Sequence, residues 1–339
     1  MKKQVLVSLI LAGSLVSSFA HAEEKKEASQ TANSSTVKVT DVQKKDEQVK
    51  DIDDEITNAR LRAQLGSKSR WSFKSDFGFN GGSVEKPFDA IRPNYRAGAS
   101  VETLAVISGN VGVNYRLTEK DNLSAGTGIT IMDPFHGDIT KPVQDPRAKS
   151  QGETVSRYQV STPFLDWSRG YKAWGMQQVS DITYSHFTDS DSADLKSFGN
   201  LALSQTFLAD FGASNFSGGV NVAFDYTFYN GDAKDEYLPY LQSGAIMRDD
   251  MGFGLFPFAE YTINDTLSLR TVFGYFQFIH YKNEFNNTQD WKQREPYQSV
   301  GVGISVTRDI YLYPNIQFTP KDIRADRTNV ALSTNINLF

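Results

Sequence analysis

The chain has 339 residues, no cysteine, a net charge of -5 and a mean hydropathy of -0.42. These values exclude a disulfide framework and a lipid-modified N-terminal cysteine, and they give no electrostatic reason to expect nucleic acid as a partner. Beyond the N-terminus no window approaches the roughly 18 consecutive apolar residues of a spanning helix, so a helical membrane protein is excluded too.

The chain opens with Lys2 and Lys3, an apolar run over residues 5–16, and Ala20-His21-Ala22 ahead of a charged segment. This layout predicts a secretory signal peptide over residues 1–22, which leads to the periplasm, the outer membrane or the exterior. Residues 23–39 are polar, of mixed charge and without periodicity, and read as a flexible linker. Over residues 40–66 the period becomes helical. Thr40 and Gln43 are spaced as a capping box, Val42, Val49, Ile52, Ile56, Ala59 and Ala63 recur in a seven-residue frame broken by Lys45, and Gly66 is placed to end the helix. Two readings stand: a short coiled coil joining copies of the chain, with Val42, Val49, Ile52, Ile56 and Ala59 as its seam, or a single amphipathic helix under a barrel or on the membrane surface.

From Arg70 the period is two, and it persists to the last residue. The first strand alternates Trp71, Phe73, Phe77 and Phe79 with Ser72, Lys74, Asp76 and Gly78. The second runs without a phase break over residues 95–117, as one long strand. Further strands follow at 123–132, 154–165, 178–187, 198–208, 216–228, 251–261, 267–281, 297–306, 310–318 and 328–339. In the hairpin of residues 111–131 one face is apolar and the other small and polar, and in the seventh strand Phe216, Val220, Val222, Phe224, Tyr226 and Phe228 oppose Ser217, Gly219, Asn221, Ala223, Asp225 and Thr227. Wholly polar faces on so many strands leave too little for a dry core, so the apolar face points to lipid.

The connections support this. Short turns at 118–122, 169–175, 210–215, 263–266 and 307–309 alternate with long loops at 81–93, 133–153, 188–196, 230–250, 282–296 and 319–326. An even strand number, with short turns at one rim and long loops at the other, predicts a 12-stranded antiparallel transmembrane β-barrel over residues 70–339, with a short periplasmic helix before it and both termini in the periplasm. Trp71, Tyr115, Trp167, Tyr171, Trp174, Phe211 and Tyr261 fall near the turn side as one aromatic girdle, and Phe79, Tyr184, Phe228 and Tyr281 near the other.

With its signal peptide, hairpins such as YRLTEKDNLS and YTINDTLSL, and a final strand ending in Phe339, the chain resembles bacterial outer-membrane β-barrel proteins of the porin type. The resemblance covers about residues 70–339 and is specific for architecture. It implies a Gram-negative outer-membrane location, outer-membrane lipid as surroundings, and recognition of Phe339 by the barrel-assembly machinery. In this chain Val330, Leu332, Ile336 and Leu338 alternate out of phase with that terminal aromatic. A helical stretch ahead of the barrel also resembles sugar porins with N-terminal coiled coils and porin-like oligomers that enclose lipid.

The phase places Lys74, Asp76, Arg96, Glu102, Arg116, Arg157, Asp181, Asp225, Glu260, Arg270 and His280 toward the interior. These residues either line a water-filled pore whose selectivity is set by charge, or pair across a small lumen and nearly fill it. The expectation is a porin-like homo-oligomer for passive diffusion of small polar solutes or ions. A structural barrel organising lipid is the alternative, and a lipid-modifying enzyme a third. For catalysis, His186 stands near the loop rim, but Ser185 points to the opposite face, so no catalytic residue is expected. Asp189, Asp191 and Asp194 are spaced as loose calcium ligands but lack the glycine and distal glutamate of a known loop, so neither metal nor cofactor is expected.

Overall fold

In the computed structural model the described residues are 51–93, 103–136, 158–238, 241, 248–282 and 291–339. Residues 1–50, which include the segments expected as signal peptide and linker and with them Val42 and Val49, lie outside these. Two short helices come first, α1 (Ile52–Glu55) and α2 (Ala59–Gln64). The barrel strands follow: β1 (Trp71–Ser83), β2 (Val106–Arg116), β3 (Asp121–Met132), β4 (Tyr158–Ala173), β5 (Met176–His186), β6 (Ser197–Asp210), β7 (Phe216–Tyr229) and β8 (Asp249–Thr262). The strand β9 has two parts, Leu267–Gly274 and Phe276–Tyr281, and is followed by β10 (Tyr297–Thr307), β11 (Ile310–Phe318) and β12 (Asn329–Leu338). A one-turn helix, α3 (Ser190–Asp194), sits in the loop between β5 and β6.

Each strand pairs antiparallel with its sequence neighbours. β1 also pairs with β12, from Phe73 opposite Leu338 to Ser83 opposite Asn329, and this seam closes the barrel. Closure removes the unpaired edges that an open sheet would expose. The period-two pattern thus delivers the twelve-stranded antiparallel barrel that it predicts. Its polarity is inverted relative to a globular β-protein. Trp71, Val113, Leu165, Phe216 and Leu269 are exposed on the outside, whereas Ser124 and Ser168 are fully buried and Asn114 and Thr206 almost so on the inside. Aromatic pairs cluster toward the two rims: Trp71 with Tyr115 (4.6 Å) and Phe216 with Tyr261 (4.7 Å) at the short-turn end, and Phe198 and Tyr226 around Phe228 (5.7 and 5.1 Å) at the other.

Four expectations are corrected in detail. The long second strand is interrupted. Thr103–Leu104 pairs with Ile91–Arg92 in a separate hairpin, and β2 starts only at Val106. Between them Ala105 is buried and bonds to loop backbone, donating to the Ala90 carbonyl and accepting from the Asp133 N–H. Residues 95–102 lie outside the described set. β4 runs eight residues past the expected end and reaches Ala173, opposite Met176 in β5, across a two-residue turn. Trp174 and Gly175 both have positive φ (53° and 76°), the type I′ geometry whose twist matches the flanking strands. β9 breaks at Tyr275, and its second part gains a partner strand, Trp291–Gln293, within an expected loop.

The fourth correction concerns the N-terminal helix. Over its described part it is not continuous: Ile56 leaves α1 in extended backbone, and Asn58 caps α2 through a bond from the Leu61 N–H to its side chain (3.2 Å). Asn is neutral to unfavourable inside a helix and favoured at its start, so Thr57-Asn58 restarts the helix in a new direction.

Candidate functional site

The bend at residues 56–58 lets the segment enter the barrel. Ile52, Ile56, Leu61 and Leu65 bury their side chains against Val179 of β5, Leu208 of β6 and Phe258 of β8, with Val272 of β9 alongside. Ala63 packs on Tyr311 and Tyr313 of β11, with Ala59 beside them. Ile52, Ile56 and Ala59, expected in a seam between copies, are occupied within one chain. Gly170 of β4 makes room for this plug, since a Cβ there would stand 2.3 Å from a methyl of Leu65.

Polar contacts fix the plug around nearly the whole circumference. The Thr57 and Asn58 N–H groups both donate to Oε1 of Gln177 (2.9 Å each), and Gln64 donates to Asp181 (3.0 Å). Asn58 donates to Glu260 (3.3 Å), and Asn337 of β12 donates to the Ala63 carbonyl (2.7 Å). At the rim, Lys120 in the β2–β3 turn donates to both oxygens of Glu55 (2.7 and 2.8 Å). Arg308 in the β10–β11 turn clamps Asp53 through Nε (2.9 Å) and Nη2 (2.9 Å) and donates to the Gly66 carbonyl (2.7 Å). Burial by itself would raise the Asp53 carboxyl, but hydrogen bonds from Arg308 and Lys68 outweigh it and hold the group below its ordinary value.

Above these rim contacts the plug carries Arg60 into the lumen. The guanidinium of Arg60 lies 5.2 Å from the centre of the Phe258 ring, and that of Arg270 lies 4.9 Å from the same ring. Burial and the neighbouring Arg270 push Arg60 down to about 9, which leaves it charged at neutral pH. Glu260 supplies an opposing charge.

The inner wall holds Lys74, Asp76, Arg116, Asp181, Asp225, Glu260 and Arg270, but they do not form one ring. Lys74 pairs with Asp166 of β4 (3.3 Å), which also accepts from Thr183 (2.8 Å), and Asp76 accepts from Asn110 (3.0 Å). Arg116 is buried and donates to the Ser67 and Glu119 carbonyls (3.1 and 2.7 Å), so it anchors the plug's exit. Asp225 stands apart toward the long loops. Glu102 and Arg157 lie outside the described residues, as does Arg96. His280, expected inward, is on the outer face, because the break at Tyr275 shifts the phase and puts Ile279 inward opposite Gly252; it is held by Asp250 (2.5 Å) beside Trp291. Phe339 follows the end of β12 with a positive φ (81°), is 86% exposed, and accepts a bond from Ser67 at its carbonyl (2.9 Å).

Sequence reasoning missed the plug. A signal was present: Val179, Leu208 and Phe258 put three large apolar side chains on the polar face of three strands, and such a patch inside a wet lumen must be covered. The acidic run in the β5–β6 loop serves local structure. Asp189 accepts from the Ser192 N–H and hydroxyl (2.8 Å each), and Asp194 pairs with Lys234 and Tyr237. Among the described residues no group of three or more His, Asp or Glu side chains is placed to hold a metal.

No protein-family model matches the chain, and no curated protein matches it. Among solved structures it is similar to an outer membrane channel from Pseudomonas putida F1, with 11% identity, 81% of this chain and 98% of that one covered, and a TM-score of 0.49. It is also similar to the KdgM porin (9% identity, 79% and 98% covered, TM-score 0.36) and to the outer membrane phospholipase A of Escherichia coli (12%, 83% and 96%, 0.32). At such identities the likeness is one of barrel architecture, which a channel and a phospholipase share.

Proposed function

We propose that the chain is a porin-type channel of the bacterial outer membrane for small polar solutes or ions, at rest with its short-turn mouth stoppered by residues 51–66. The observation that carries this reading is the inverted polarity. A belt of exposed Trp, Phe, Leu and Val surrounds an interior of Ser, Asn, Asp, Lys and Arg, as expected of a wall between lipid and water. The short turns and both chain ends then face the periplasm, lipid contacts the outer belt, and Phe339 serves the assembly machinery. Any association into homo-oligomers uses the barrel wall or residues before Asp51, because Ile52 and Ile56 are committed to the lumen. No catalytic role is assigned: His186 is exposed on the outer rim, and the neighbouring Ser185 points to the opposite face.

Planar-bilayer recording of the full chain beside a variant lacking residues 40–66 tests the reading. The full chain is expected to give rare, small steps, and the deletion frequent steps several times larger. Silence from both proteins would overturn the channel. It would leave the structural barrel, which the occupied lumen also favours.

A further inference from the structure

On the long-loop half of the inner wall, away from the plug, the strands leave a cavity of about 190 Å³ lined by Asp225 of β7, by Gly252, Gly254 and Phe256 of β8, by Gln277 of β9, and by Arg294. The two glycines open it. A Cβ at Gly252 would lie 2.2 Å from an oxygen of the Asp225 carboxylate, and one at Gly254 would lie 2.3 Å from the Phe256 ring. The sequence thus gives up two side chains where β8 faces inward, and the space goes to a carboxylate and an aromatic face.

The polar groups around this space satisfy one another only in part: Asp225 feels the charge of Arg294 and takes a hydrogen bond from Asn200, outside the lining. Oε1 of Gln277 has no hydrogen-bond donor although it is withdrawn from water, which a buried acceptor rarely tolerates. Gln277 is itself part of the cavity lining. The backbone N–H of Arg294 donates to the Gln277 carbonyl (2.8 Å), which pins Arg294 at the cavity's edge. Its guanidinium is exposed and, among the described residues, makes no ion pair. Asp249 adds a second carboxylate to the lining. A simple anion would meet two carboxylates here, and a simple cation would meet the guanidinium. A molecule with both charges, separated by a few bonds, meets each with its opposite.

We propose that this cavity binds a small zwitterion of amino-acid size, its ammonium group toward Asp225 and the Gln277 amide, its carboxylate toward Arg294, and its apolar side chain on Phe256. This inference deepens the channel reading, on which it rests, by naming the solute class that the lumen retains.

The test is equilibrium binding of L-leucine to the detergent-solubilised full chain by titration calorimetry, with isoamylamine and isocaproate as probes carrying one charge each. Leucine is expected to bind at least tenfold more tightly than either analogue. D225N and R294Q are each expected to weaken leucine about tenfold, and G254V to abolish it, with the circular dichroism of the sheet unchanged in all three. Absent leucine binding, equal binding of the three probes, or indifference to both D225N and R294Q would overturn the proposal. Should G254V fail to fold, the two near-isosteric charge variants still decide. Binding needs no conduction: leucine binding by a protein silent in bilayers removes the channel and keeps the site, and conductance without binding does the reverse.

Discussion

The two halves of the lumen are built from the same strands, with the same phase along β7 and β8, yet they differ in what fills them. Toward the short turns, inward positions carry Val179, Leu208 and Phe258, and the chain's own residues 51–66 cover them. Toward the long loops, inward positions on β7 and β8 carry Ala223, Asp225, Gly252 and Gly254, and a cavity remains. Strand periodicity decides only which face a residue occupies; side-chain size and polarity at alternate positions decide whether the space becomes a socket or a niche. The apolar half pulls in a segment by burial, whereas the glycine-lined half has no comparable apolar surface to cover.

Breaking the socket should therefore have the larger effect, and Leu61→Asp the largest. It places a carboxylate where the wild-type side chain is fully buried among apolar groups, at a cost of several kcal/mol unless the plug leaves. The chain has no cysteine, so Ile56→Cys supplies a clean reporter. Maleimide labelling at position 56 should be protected in the otherwise native protein and become at least tenfold faster when Leu61→Asp is added. Arg308→Ala comes next. It removes the clamp on Asp53 and the bond to the Gly66 carbonyl, worth about 1–3 kcal/mol. Labelling at position 56 should accelerate severalfold, less than with Leu61→Asp because Lys68 still pairs with Asp53 (2.9 Å).

A smaller effect of the same sign is expected from acid. Asp53 is held below its ordinary value when the plug is docked, so its contribution is fully present above about pH 4, the unperturbed carboxylate range, and is lost as pH falls through the docked value. Bilayer opening frequency should rise as pH drops below about 4, and Asp53→Asn should flatten that rise. Gly170→Ala is the mildest. Its Cβ meets Leu65 at a flexible methyl end, so a modest increase in position-56 labelling is expected, without loss of the barrel. Against this series Asp225→Asn should leave labelling unchanged, which would separate the two halves experimentally.

Much of the barrel was legible in the sequence because period-two alternation is local: Phe216 to Tyr229 reads the same way as a string and as a strand. The breaks were less so. Trp174-Gly175 carries no standard hairpin signature, since a tryptophan rarely adopts positive φ, and the interruption at Ala105 depends on loop carbonyls that no periodicity announces. For the candidate site, the inward phase of Lys74, Asp76, Asp181, Glu260 and Arg270 could be read from alternation, but their partners could not. Gln64 meets Asp181 and Asn58 meets Glu260 across more than a hundred residues of chain. The helix was misjudged for the same reason. The stripe of Ile52, Ile56 and Ala59 shows that a face must be buried, and only the inward Val179, Leu208 and Phe258 show where.

The contacts of Ser67 with the Phe339 carbonyl and of Asn337 with Ala63 have a consequence for the order of assembly. The earliest part of the described chain rests on the strand that closes the barrel, at the seam where β12 meets β1. Until that strand arrives the socket has no floor on one side, and residues 51–66 have no complete place to dock. Seating of the plug therefore reports a finished barrel, and an unfinished one stays unstoppered.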